Sequence, residues 1–145
     1  VLHVDDLGSV VWHEAENYQP TTPGKLASAG DILISLLNPS KFRATVVPER
    51  YPIVQVSAEF GVFKATEDAY ASLALLQHPS VRAQLAPLGT GTSSSRRRIS
   101  PEDVLGVVCP PYDSVWLAST GAAIKAALDQ RDAAALALFE AFFGV

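Results

Sequence analysis

At Ala65 the apolar residues of this chain change their spacing, and no fold that ignores the change can bury them. Before it, "DILISLL", "FRATVV", "PIVQVS" and "EFGVFK" are short runs rich in β-branched and aromatic residues, bounded by turn signals such as "NPSK" and Pro48. In "EFGVFK", period-two alternation puts Phe60 and Val62 on one face and Gly61 and Phe63 on the other. "VLHV" and "SVVWH", with "DDLG" as a turn between them, add two early strands, and "NYQPTTPGKLASAGD" reads as a surface connection. Four to six strands in this half predict a mixed or antiparallel sheet.

After Ala65 the period is helical. "TEDAYASLALLQH" has Thr66 as its expected N-cap, acids in its first turn, and Tyr70, Leu73 and Leu76 on one side. "PSVRAQLA" forms a second short helix with Val81 and Leu85 inward and Pro87 at its end. Ser100, Pro101 and Asp103 spell an N-cap, a first-turn proline and a capping-box pattern. "VLGVVCPP" reads as a helix end, then a strand stopped by prolines. Residues 114–145 are Ala- and Leu-rich and helical, with a polar interruption at Asp129–Asp132 and an apolar tail of Phe139, Phe142 and Phe143 expected to bury against the domain or another chain. The predicted class is α+β: a mixed or antiparallel, β-rich sheet with short helices in residues 1–113, followed by a C-terminal helical segment in 114–145.

Composition narrows the function. An apolar content of 48% supplies a core, and no run is long enough to span a bilayer. The one cysteine, Cys109, suits a reducing, cytoplasmic setting. The chain has no Met, which reads as a processed form or an excised fragment. Its net charge of −4 is unevenly placed. Residues 1–24 hold four acids and no Lys or Arg, 25–98 hold nine basic and five acidic residues, and 99–145 hold two basic and six acidic. A basic middle between acidic ends is compatible with one functional face, or with ordinary solvated charge.

Catalytic signals are weak. Cys109 reads as a packed strand-end residue without a neighbouring base, and His3, His13 and His78 lack zinc-ligand spacing. "GTGTSSS" follows a helix and carries neither the third glycine nor the lysine of nucleotide-binding loops. "EFGVFK" places a carboxylate and a lysine together as some nucleases do, but with the wrong spacing. No catalytic residue, metal or cofactor is predicted. "RRRIS" fits a basophilic kinase site, though Ser100 fits a helix cap better. Arg96, Arg97 and Arg98 have two readings. They form a solvated loop tip, or they bind phosphates with Thr92, Ser93, Ser94, Ser95 and the N–H groups of the following helix.

In its order of elements the chain resembles the target recognition domain of type I restriction-modification specificity subunits. "KLASAGDILIS" resembles the family's "L..GDIL.S" segment, "RATVVPE" and "VSAEFGVFKA" its next strands, "YASLALLQHPSVRAQLAPLGTGTSSSRRRIS" its helix pair and "GT...R.IS" loop, and "PEDVLGVVCPP" its close. The likeness spans about residues 2–112, with one recognition unit where the family usually has two. The glutamate-glutamine pair expected after the prolines is replaced by "PPYDSVW". It implies a non-catalytic, sequence-specific module that binds double-stranded DNA, works with an adenine-methylase subunit or domain, and uses its C-terminal helix for that contact or for a homodimer. The expected DNA-binding residues are Thr92, Ser93, Ser94, Ser95, Arg96, Arg97, Arg98, Lys41 and Arg43, with Asn38 and Gln55 as candidate base readers. The competing reading is a protein-interaction domain whose basic loop grips an acidic partner, and a nuclease ranks third.

Overall fold

A computed structural model describes residues 24–66, 68–91 and 96–143. The expected strands at "VLHV" and "SVVWH" lie outside the described residues. Five strands follow, β1 (Lys25–Ser28), β2 (Ile32–Ser35), β3 (Ala44–Val46), β4 (Ile53–Val56) and β5 (Phe60–Phe63). The helices are α1 (Ala69–Leu76), α2 (Pro79–Leu85), α3 (Pro101–Leu105) and α4 (Ser114–Phe143), with a 3₁₀ turn at Ala86–Leu88. The class is α+β, and every strand pairing among the described residues is antiparallel.

The strands form a three-stranded sheet ordered β3-β2-β5 and a two-stranded ribbon of β1 and β4. Backbone bonds join the two. Gly30 N–H donates to Val47 O, Val47 N–H to Asp31 O, and Ala29 N–H to Pro52 O. β1–β2 and β3–β4 are therefore the two arms of one long hairpin. The hairpin must fold back on itself, because Val56 pairs beside Lys25 whereas Phe60 pairs beside Ser35. Four chain steps reach at most ~14 Å, but a straight arm from Lys25 to Ser35 would measure ~33 Å. Lys25 Nζ closes the fold by donating to Phe60 O at 2.8 Å.

This bend explains the "GDIL" segment physically. Gly30 takes φ +87°, a left-handed conformation that a side chain disfavours. Asp31 is buried, accepts the Ser28 N–H at 2.8 Å on Oδ2, and receives Lys64 Nζ at 2.7 and 2.9 Å. Asp31→Ala orphans the Ser28 N–H and removes a charge-assisted pair. It should cost about 1–3 kcal/mol, read as a lower urea midpoint, with Asp31→Asn losing less because its amide oxygen can still accept. A midpoint equal to wild type would show that the carboxylate does not hold the bend.

Folding back gives β2 two covered faces, so all four of its residues are buried. Ile32 and Ile34 face a helical core with Leu73, Val81, Leu85, Ile99 and Val104. Leu33 faces a second core with Ala27, Val47 and Val56, closed by the ribbon. Phe60 and Val62 pack on this second core and Phe63 on the first, as their alternation predicts.

Several expectations need correction. Lys25–Ser28, read as part of a surface connection, is a strand, because pairing with β4 overrides its weak β propensity. The cap of α1 is Asp68 and not Thr66. The Asp68 carboxylate accepts the Tyr70 and Ala71 N–H groups, and no acid lies inside the first turn. The segment after α3 forms no strand. Gln84 instead binds both backbone groups of Val108, and Cys109 is exposed rather than packed. The C-terminal helix is continuous through Asp129–Asp132, because these charges serve its surface. Asp129 pairs with Lys125 four residues earlier at 2.6 Å, and Asp132 pairs with Arg50 of the β-rich half.

Candidate nucleic-acid interface

The two ends of the basic loop meet at the end of the sheet, joined by isolated backbone bridges. Past β2 the chain continues through Leu36–Asn38, and there it meets Arg97–Ile99. Ile99 N–H donates to Leu36 O at 2.9 Å and Asn38 N–H to Arg97 O at 2.7 Å. On its other side Arg98 exchanges both backbone bonds with Thr90 at 3.0 Å. The glycines of "GTGT" serve this closure. A Cβ on Gly91, whose φ is +146°, would lie 2.8 Å from Arg96 O. One on Gly89 would lie 2.9 Å from the Arg97 side chain. Their close approach is to the loop's own second arm, not to the ligand that their spacing invites one to imagine.

Ile99 is buried in the helical core and Ser100 begins α3 immediately after it. The capping box forms as its sequence predicts, with Ser100 Oγ accepting the Asp103 N–H and Asp103 Oδ2 accepting the Ser100 N–H. That use of Ser100 favours the cap over the kinase-site reading. It also corrects the expected phosphate role of the helix start. Pro101 has no N–H and that of Asp103 is taken, so two of the first three positions offer nothing.

Arg96, Arg97 and Arg98 are all exposed, but they are not equivalent. Arg98 donates Nε and Nη2 to the two carboxylate oxygens of Glu59, both at 2.9 Å. Glu59 lies in the β4–β5 turn, and its backbone oxygen accepts the Leu36 N–H. The bidentate bond therefore ties the loop to the same turn that closes the sheet. Arg96 and Arg97 form no ion pair with an acid among the described residues. Lys41 is exposed at the end of the Asn38–Lys41 turn, next to Arg97 through the Asn38 bond, whereas Arg43 is half-buried and its carbonyl accepts the Ser35 N–H. Asn38 is itself a turn residue at φ 55°, and its Oδ1 accepts the Ser40 hydroxyl. Gln55 is exposed on β4, opposite Leu26 of β1 and four residues before Glu59. Thr92, Ser93, Ser94 and Ser95 lie outside the described residues.

The structure thus brings together Arg96, Arg97, Lys41 and Asn38, adds Glu59, and leaves Gln55 on the ribbon, across the Glu59 turn from them. Glu59 had no local signal in the sequence, since its partner is thirty-nine residues away. The Arg98 hydrogen bond holds its carboxyl below the ordinary value of 4.5, against the opposing effect of burial. A lowered carboxyl gives stability that is present above the unfolded value and lost as pH falls through the folded one. Acid unfolding should accordingly lose part of its slope below about pH 5 in Glu59→Gln. The change is small because solvent screens an exposed pair, and identical acid titrations of the two proteins would refute it.

Two of the residues weighed for catalysis are engaged elsewhere, and Cys109 is exposed. Lys64 bonds Asp31, and His78 caps α2 by accepting the Ser80 N–H on Nδ1. His3 and His13 lie outside the described residues. Among the described residues no helix is long and apolar enough to cross a membrane. No family model matches the chain, and no curated protein matches it in sequence.

Proposed function

We propose that this chain is a non-catalytic, sequence-specific DNA-recognition module of a type I restriction-modification-like methylase or defence system. One observation carries the reading. Two arginines free of acidic partners among the described residues, Arg96 and Arg97, stand on a loop that backbone bonds fix at both ends, with Lys41 in the adjoining turn. A fixed set of cations lowers the ordering cost of each phosphate contact and sets the register in which other side chains meet base edges. The resemblance in element order supports the same reading.

In this account Arg98 acts chiefly as the strut of the loop, and Arg96, Arg97 and Lys41 take the backbone, with Arg43 as a more distant contributor. The partner side is α4. It is about 45 Å long and leaves Val115, Trp116, Leu138 and Phe142 exposed, which suits contact with an adenine-methylase subunit or with a second copy.

The competing assignment is an acidic protein partner, which the net charge of −4 does not favour or forbid. Competition separates them. A labelled random duplex bound at low salt should be displaced by unlabelled duplex well before polyglutamate of equal charge. Displacement by polyglutamate at equal or lower concentration would move the assignment to the acidic partner.

A further inference from the structure

The two faces of the β1–β4 ribbon are unlike. The inner face, with Ala27, Val54 and Val56, closes the core around Leu33. Alternation puts Leu26, Ser28, Ile53 and Gln55 together on the outer face, Leu26 opposite Gln55 and Ser28 opposite Ile53. Leu26 is 73% exposed and Ile53 70%, and Gln55 is exposed beside them. The ribbon's contribution to the core is complete without this face, so folding alone gives no reason for branched apolar side chains on it.

We infer that this outer face reads base edges of duplex DNA in the major groove, next to the basic loop. The inference rests on the DNA-binding reading above and assigns it a reading surface.

A two-stranded antiparallel ribbon is one of the two elements that the ~12 Å major groove admits. Strands of four residues run about 13 Å, enough for three to four base steps at about 3.4 Å each. The side chains match what that groove displays. A glutamine amide pairs with adenine N6 and N7, a serine hydroxyl accepts or donates, and apolar groups contact the thymine methyl. The face therefore suits a site containing A·T pairs.

Position supplies the charge. β4 ends three residues before Glu59, the carboxylate that holds Arg98. Lys25, next to Leu26, donates to Phe60 O, the neighbour of Glu59. The basic loop and the Lys25 end of the ribbon thus border one turn; Lys25 itself alternates onto the inner side with Val56, so the charge next to the strip is that of the loop. A second copy fits less well: the strip alone measures roughly 130 Å², against ~800 Å² per partner in a stable dimer, whereas a duplex lying on it would also cover the basic loop.

The test is selection from a random duplex pool by the full chain, with sequencing of the bound fraction, for wild type, Gln55→Ala, Ile53→Ser and Arg96→Ala. Wild type should enrich a motif. Gln55→Ala should lose about five- to a hundredfold of the preference at one adenine position with an unchanged salt slope, and Ile53→Ser should relax a thymine position. Arg96→Ala should weaken all sequences alike and keep the motif. A motif identical in wild type and both ribbon variants would overturn the reading surface and leave DNA binding standing. No salt-sensitive duplex binding by wild type would overturn both. A dimer in sedimentation that Leu26→Asp dissociates would give the face to a second copy and overturn the inference.

Discussion

Leu33→Ala should lower the unfolding free energy by about 2–5 kcal/mol, the largest stability effect expected in this chain. Leu33 is 0% exposed and lies at the centre of β2, between β3 and β5 and beneath the folded-back ribbon. Truncation removes apolar contacts on a face where the backbone cannot collapse, because ladder bonds on both sides fix it. Ile53 on the ribbon's outer face is the control. It is a large branched residue too, yet Ile53→Ala should stay within about 0.5 kcal/mol because it is 70% exposed. Urea unfolding reads both. Equal midpoints for the two variants would mean that the ribbon does not enclose a core with the sheet.

The Arg96→Ala, Arg97→Ala double variant should bind a random duplex about fiftyfold more weakly at 0.1 M salt and flatten the log–log salt slope by about 1.8. Both figures follow from counterion release at two lost phosphate contacts. The folded state should be untouched, since both side chains are exposed and the loop is held by its backbone. Arg98→Ala should behave differently. It frees Glu59 beside the loop and removes the strut, so affinity falls through lost order and added negative charge. Restoring affinity by Glu59→Gln in the Arg98→Ala background is the signature of that role. If Arg98→Ala alone reproduced the slope change of Arg96→Ala, Arg98 would be a direct phosphate contact instead.

Local chemistry was legible wherever a few neighbouring residues decide the outcome. The capping box of Ser100 and Asp103, the inward Val81 and Leu85, and the alternation of "EFGVFK" all follow from spacing alone. The class was legible too, because the period change at Ala65 separates strand from helix. The misreadings share a cause, which is long-range partnership. "KLAS" has no β-branched residue and became a strand only by pairing with residues near position fifty-five. Asp129–Asp132 looked like a break, but a continuous helix uses those carboxylates on its surface, one toward Arg50. Cys109 looked packed because valines precede it, yet the side chain of Gln84 already satisfies the backbone of Val108, and no strand forms.

At the site, the arginine cluster and its glycines stood out in the sequence, but their division of labour did not. Nothing near Arg98 announces Glu59. The three arginines read as equal until the β4–β5 turn is folded against the loop. The ribbon's outer face was hidden for a related reason. Leu26 lies in a stretch that reads as a surface connection, and Ile53 in a run whose faces are assigned only once the ribbon is seen folded over Leu33.

The central claim is that the strand-pinned basic loop binds duplex DNA. The most direct test is the affinity of the wild-type chain for a random duplex by fluorescence anisotropy at several salt concentrations. The account predicts measurable binding with a log–log slope of about −1.8 or steeper, from at least the two arginine contacts. A slope near zero, or no binding at the lowest salt, would contradict it.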